Sequence, residues 1–401
     1  MFTLAMRRSA RGAAPLGLLV AAALVLAACS DTSSTAPLVA PSDDAALNRG
    51  IRDHSTDRGT RRPGAVYTLT NAADGNAVIA LRRATDGSLT PIGSYATGGK
   101  GVGGTIDPLV SQYSVILDED HRSLFAVDAG SDRITSFHIN AGGGLVRIGS
   151  ISSRGVRPIS LAVRGHLLYV LNTGDNTLSG FFVIGNAFLL PLPHSTRALA
   201  DGADGAAAIR FTRDGRHLVV SERVSNRLEV FPVQFDGRLG APVVSPASGG
   251  ASFGFDITRR NQLVVSETQG SLTSYAMSRT GALTPITASI STGGAAACWV
   301  TITDNGRFAY TTNAGSNFVA GFALDNAGHL TALDPGGKTG DVGAGGSPID
   351  LDQVQSRFLY TLEAGRGTIG AFAIDRDGSL TALADTPVGA AASGLQGIAA
   401  Y

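Results

Sequence analysis

The sequence predicts an all-β chain folded as a seven-bladed β-propeller, with a C-terminal strand closing the first blade. Three observations lead there. A pair of β-branched and aromatic runs joined by a polar turn recurs seven times. The 52 glycines among 401 residues follow no collagen-like period, which points to many tight turns. No stretch sustains a helical period.

The elements can be justified in chain order. Arg7, Arg8 and Arg11 form a positive segment, and Leu16 to Ala28 is an unbroken small and apolar run. Such a run is too short to span a bilayer but suits a signal peptide, assigned to residues 1–28. It ends in Leu26-Ala27-Ala28-Cys29, which resembles the lipobox of bacterial lipoproteins. The resemblance implies lipidation of Cys29 and attachment to the membrane through that anchor. Ser30 at the next position implies the outer membrane. Residues 29–62 are rich in Ser, Thr, Ala, Pro, Asp and Arg, and read as a flexible tether.

The propeller domain is assigned to residues 63–401. Its seven pairs are VYTLTNAADGNAVIALR (66–82), LFAVDAGSDRITSFHI (124–139), LYVLNTGDNTLSGFFV (168–183), LVVSERVSNRLEVFPV (218–233), LVVSETQGSLTSYAM (263–277), AYTTNAGSNFVAGFAL (309–324) and LYTLEAGRGTIGAFAI (359–374). Their spacing of about 45 to 58 residues fits four-stranded blades. Six of them are preceded by a short apolar strand, as at 114–117 and 349–352. Turns such as TDGS (85–88) and RDGS (376–379) lead to an outer strand. The first pair has no inner strand before it, and Gly397-Ile398-Ala399-Ala400 has the pattern to supply one. Joining both termini in one blade would remove exposed sheet edges.

Composition narrows the function. The precursor carries 32 basic and 32 acidic residues; without the three leader arginines the balance is 29 against 32, about −3. No basic stripe is present, so nucleic-acid binding is disfavoured. With Cys29 lipidated, Cys298 stands alone and no intramolecular disulfide is expected. Neither a metal-ligand spacing, a Ser-His-Asp set nor a dinucleotide fingerprint appears, so no metal and no cofactor are expected. A monomer is expected.

Propeller ligands bind in a central funnel, lined by loops leading into the innermost strands and by loops after the second strands. The lead-in loops are glycine-rich, as in TGGKGVGG (97–104) and STGGAAACW (291–299). The position ending each second strand reads Asn71, Asp128, Asn172, Glu222, Glu267, Asn313 and Glu363. Asn and Asp there can cap turns. Glutamate is a poorer turn-former, which leaves acid/base catalysis, a hard-cation site or salt bridges to Arg223, Arg227 or Arg366 open. Glu222 and Glu267 are the candidate general bases, and Arg157 the candidate donor to a developing oxyanion. Asp128, Asn172, Asn313, Glu363 and Gln112 are candidate ligand-binding residues. Trp299 either packs between blades or floors the funnel, and Cys298 reads as a small buried hydrophobe.

NAADGNAVIALRRATDGSLTPIGSYATGGKGVG (71–103), RPISLAV (157–163) and AACWVTITDNGRFAYTTNAGSN (296–317) resemble the lactonase-family propellers, which include 6-phosphogluconolactonase and carboxymuconate cyclase. The resemblance covers nearly all of residues 64–401 and looks like a secreted bacterial branch. It implies a seven-bladed propeller, lactone chemistry, and arginine and glutamate in the funnel. It also implies a funnel histidine, from which this chain departs: Ser111-Gln112-Tyr113 stands in the second blade's lead-in loop, and His121, His166 and His217 fall in turns on the opposite face. Two functions are therefore expected to compete. One is an exported hydrolase or cyclase acting on a lactone or organic acid; the other is a tethered, non-catalytic propeller binding a small molecule, glycan or protein.

Overall fold

The computed structural model describes residues 64–401; the signal segment, Cys29 and the whole tether lie outside the described residues. The described chain contains strands and turns and no helix. Seven antiparallel sheets follow one another around a ring. We number the blades I to VII from the N-terminus.

Blade I takes its innermost strand, Gln396–Ala400, from the C-terminus and its next three, Gly64–Leu69, Ala77–Arg83 and Leu89–Ala96, from the N-terminus. Tyr67 faces Ala399 and Thr68 faces Ile398 across this closure. The expected closing strand is thus in place. Blades II, IV and V each follow the chain through four strands, beginning at Val115–Leu117, Ala206–Phe211 and Ser252–Ile257. In blades III, VI and VII the outer strand is broken in two, as in Leu330–Ala332 and Gly340–Asp341. Proline explains the breaks: Pro193 and Pro335 fall between the two pieces in blades III and VI and cannot donate to the ladder.

The second strands are buried throughout and carry the largest core side chains. Four are tyrosines at one repeat position, and their hydroxyls latch each blade to the next. Tyr67 donates to Gly143 O (2.8 Å), Tyr169 to Gly237 O (3.0 Å), Tyr310 to Gly378 O (2.8 Å) and Tyr360 to Gly87 O (2.8 Å). Each acceptor is a hairpin glycine with φ between 84° and 91°, which a side chain would strain. Burying both the ring and the hydroxyl is tolerable because the hydroxyl finds a partner.

The innermost strands of blades II to VII run from one face of the ring, where the lead-in loops lie, to the other, where they turn into the second strands. We call these the lead-in face and the turn face.

Candidate functional site

The seven polar residues that end the second strands are all buried at 2% exposure or less. They point into the blades, where they bind neighbouring strands. Asp128 accepts hydrogen bonds from Asn76 Nδ2 (2.9 Å) and Thr97 Oγ1 (2.5 Å) of blade I and from Thr135 Oγ1 (2.7 Å) of its own blade. Asn313 likewise accepts from Thr292 Oγ1 (2.7 Å), at the end of blade V. Asn71 receives Val102 N (3.1 Å), and Asn172 Nδ2 reaches Thr177 Oγ1 (3.4 Å).

The glutamates are cross-links too. Glu222 accepts Arg227 Nε (2.8 Å) and Ser225 Oγ. Arg227 also holds Glu229 (3.1 Å), whose carboxyl is pushed up by burial and then by Glu222. Glu267 binds Ser271 and Thr273. Glu363 binds Arg366 and Thr368. The expected base role of Glu222 and Glu267, and the ligand-binding role of Asp128, Asn172, Asn313 and Glu363, are therefore corrected. These side chains lack solvent access because they satisfy the third strands and neighbouring loops. Of the three arginines considered as salt-bridge partners, Arg227 and Arg366 take that role and Arg223 does not.

Gln112 and Trp299 fill the ring axis. Gln112 Nε2 crosses from blade II to Val300 O in blade VI (2.8 Å), and Trp299 Nε1 returns to Ser111 O (2.8 Å). Trp299 packs edge-on against Phe253, with centroids 5.2 Å apart. Gly254 is required beside them: a Cβ there would sit 2.4 Å from Gln112 Oε1. Both residues are at most 2% exposed and form a structural plug, and Gln112 also lines the cavity on the turn side of it. Cys298 beside it has its thiol pushed up by burial, which leaves it a poor nucleophile.

On the lead-in side of this plug, four blades bring polar groups together. Asp107, in the lead-in loop of blade II with φ of 46°, accepts Gln396 Nε2 (2.9 Å) from the closing strand. Arg223, just after the second strand of blade IV, acts electrostatically on both Asp107 and Cys298. Burial raises the Asp107 carboxyl to about 7, against the opposing pull of Gln396, two backbone amides and Arg223. Asp107 is half-buried, so it keeps contact with solvent. Arg223 Nε and Gln396 Oε1 are buried and make no hydrogen bond within the protein. Arg157 stands exposed at the rim with φ of 57°, its guanidinium on Pro108 O (3.0 Å), one residue from Asp107. A carboxylate titrating near neutrality beside a guanidinium can take a proton and stabilise a forming oxyanion.

Sequence reasoning missed Asp107 and gave Arg223 another role. A signal was present: Asp107 is the lone carboxylate between Thr97 and Ser114. Nothing in the sequence placed Gln396 against it, since 289 residues separate them.

The turn side of the plug opens into a cavity of about 400 Å³, lined among others by Tyr113, Arg210, Asp256, Asp350, Asp352 and His121. Arg210 pairs with Asp256 (3.1 Å) and lies over the Tyr113 ring at 4.7 Å. His121 is in the expected turn and stacks on Tyr401 at 5.0 Å. No group of three or more His, Cys, Asp or Glu side chains among the described residues is arranged to hold a metal ion.

Comparison with known proteins agrees with this architecture. Residues 110–297 match the family model described as lactonase, 7-bladed beta-propeller. The 6-phosphogluconolactonase of Yersinia pestis (strain Pestoides F) is 26% identical over 174 residues, covering 41% of this chain and 52% of that protein. The chain spans about half the length of the curated relatives it matches. A protein from Lactobacillus plantarum superposes with a TM-score of 0.68 at 18% identity, covering 84% of this chain and 99% of the other. A periplasmic gluconolactonase from Pseudomonas aeruginosa superposes with a TM-score of 0.64 at 18% identity, covering 83% and 98%. At such identity the solved structures speak for the fold alone. Its ring of seven blades makes this chain a seven-bladed β-propeller, and residues 110–297 make it similar to the lactonase propellers.

Proposed function

We propose that this protein is an exported lactone hydrolase whose reaction takes place in the lead-in funnel, with Asp107 as general base and Arg223 as the oxyanion donor. The observation that carries the reading is the Asp107 carboxyl, raised to about 7 within the field of the Arg223 guanidinium. Asp107 removes a proton from water as the water oxygen bonds to the lactone carbonyl carbon. Arg223 stabilises the oxyanion that forms. The ring C–O bond then breaks, and the departing oxygen takes the proton back from Asp107. Gln396 orients Asp107 through its amide, and Arg157 meets the substrate's polar groups at the rim.

The substrate that fits is a small non-phosphorylated lactone of a hydroxy or sugar acid. The chain has only Lys100 and Lys338 as lysines, and its signal-like leader directs it out of the compartment that holds phosphosugars. Lipidation of Cys29 would tether the domain in the cell envelope. Cys29→Ser should move the protein from the membrane fraction to the soluble fraction; unchanged membrane association would remove the anchor from the reading.

The function is tested with the soluble domain from residue 63 and a panel of sugar-acid and hydroxy-acid lactones. Arg223→Ala should lower kcat by roughly 100-fold, the typical effect of losing an oxyanion donor. Glu222→Gln and Glu267→Gln should retain activity per folded molecule. Activity indifferent to Arg223→Ala would sink the site. Complete inactivity of the folded wild type on the panel would favour the non-catalytic binding module.

A further inference from the structure

The cavity on the turn face belongs to neither the fold's core nor the lead-in funnel. The Gln112–Val300 and Trp299–Ser111 hydrogen bonds stand between the two ends of the axis. Among the described residues that line the cavity, seven carboxylates stand against four arginines. Most of that acidity is already matched. Asp256 accepts Ile257 N (2.7 Å) and Ile302 N (2.9 Å) and pairs with Arg210. Asp352 accepts Gln353 N (2.8 Å) and Ala400 N (2.8 Å).

Asp350 is the exception. It is 2% exposed, Leu351 N donates to its Oδ1 (2.9 Å), the Ile398 amide acts on the carboxyl from the closing strand, and Oδ2 is buried without a hydrogen bond. A carboxylate oxygen in that position is costly to bury without a partner. Burial, followed by the field of Asp352 and of Asp107, drives its carboxyl well above the usual range.

We infer that the turn-face cavity is a second ligand site that takes a small organic cation, its ammonium group bound by Asp350 with Asp352 beside it. A metal ion fits poorly, because backbone amides already occupy the oxygens of Asp256 and Asp352 and no metal-holding cluster is present among the described residues. The cavity is also far larger than an ion needs, at about 400 Å³. An ammonium asks only for a few acceptors around three N–H donors, and the cavity wall offers a carboxylate for one of them. Arg210 and Arg213 pair with Asp256 and the field of Arg210 also reaches Asp352, which leaves Asp350 as the carboxylate for the cation.

The inference is independent of the lactone reading and is tested separately. The soluble domain would be titrated calorimetrically with 1,4-diaminobutane, with neutral 1,4-butanediol as the isosteric control, and with calcium chloride. The site predicts saturable 1:1 binding of the diamine and none of the diol. Asp350→Asn should weaken binding at least tenfold while lactone turnover at pH 8 stays at the wild-type level. Binding should release protons as Asp350 ionises, so the heat should vary with the buffer's ionisation enthalpy. Asp107→Asn should bind the diamine normally. If Asp350→Asn does not fold, Asp352→Asn serves as the weakened variant. No saturable heat with the diamine, equal binding of the diol, tighter binding of calcium, or affinity unchanged in the carboxamide variants would each overturn the inference.

Discussion

At the scale of single residues, position in the blade decides what a charged side chain can do. Glu222 and Glu229 are fully buried and share Arg227, whose own side chain is 17% exposed. Removing that guanidinium leaves two interior carboxylates without their cation. Arg227→Ala should therefore destabilise the domain by roughly 3 to 5 kcal/mol, the range for breaking a buried ion pair from one side. Denaturant unfolding measures this; a change below 1 kcal/mol would mean that Arg227 does not hold the pair. The shared repeat position of Asp128, Glu222, Glu267 and Glu363 is visible in the sequence, but not that they turn into the blades rather than toward the funnel. Their partners are another matter. Thr97 of blade I reaches Asp128 of blade II, and such a contact exists only once the blades are stacked. Asp107 escaped notice for the same reason: its environment is built by Gln396 and Arg223, both distant in sequence.

At the scale of elements, the tyrosine latches tie local pattern to ring assembly. Tyr67, Tyr169, Tyr310 and Tyr360 stand at one repeat position, so their alignment is visible in the sequence. Their acceptors are not, because each glycine lies in the hairpin of the next blade. The Tyr360 latch to Gly87 even crosses the seam where the ring closes. Tyr310→Phe keeps the ring packing but leaves the Gly378 carbonyl without its hydroxyl. A loss of about 1 to 2 kcal/mol in denaturant unfolding is expected, in line with a buried neutral hydrogen bond. Unchanged stability would assign the latch to packing alone. The outer strands were the least legible elements. They are short, half-exposed and interrupted, so tertiary pairing rather than pattern sets their limits.

At the scale of the whole molecule, seven similar blades leave one asymmetric axis, and its chemistry comes from the differences between repeats. Blade II supplies Gln112 to the plug and Asp107 to the funnel, and blade VII supplies Asp350 and Asp352. The ring and its closing strand were legible because they depend on repetition. The axis was not, because it depends on where repetition fails. It also imposes a pH dependence on stability. Burial raises Asp352 to about 7 from 3.8, so its contribution is present below about 4 and lost as pH rises through 7. Asp352→Asn gives up one of the two backbone-amide bonds at every pH, so its Tm relative to wild type should be lower at pH 4 than at pH 8. A difference of the same size at both pH values would show that ionisation is not the cause.

With Asp107 as the base of the lead-in funnel, lactone opening must depend on pH. Asp107 must be ionised to accept a proton, so kcat/KM of the wild-type domain should rise tenfold per pH unit below about 7 and level off above it. Asp107→Asn should lower the plateau at least ~100-fold and abolish that inflection. A wild-type inflection that survives in Asp107→Asn, with kcat/KM near the wild-type value, would contradict the claim.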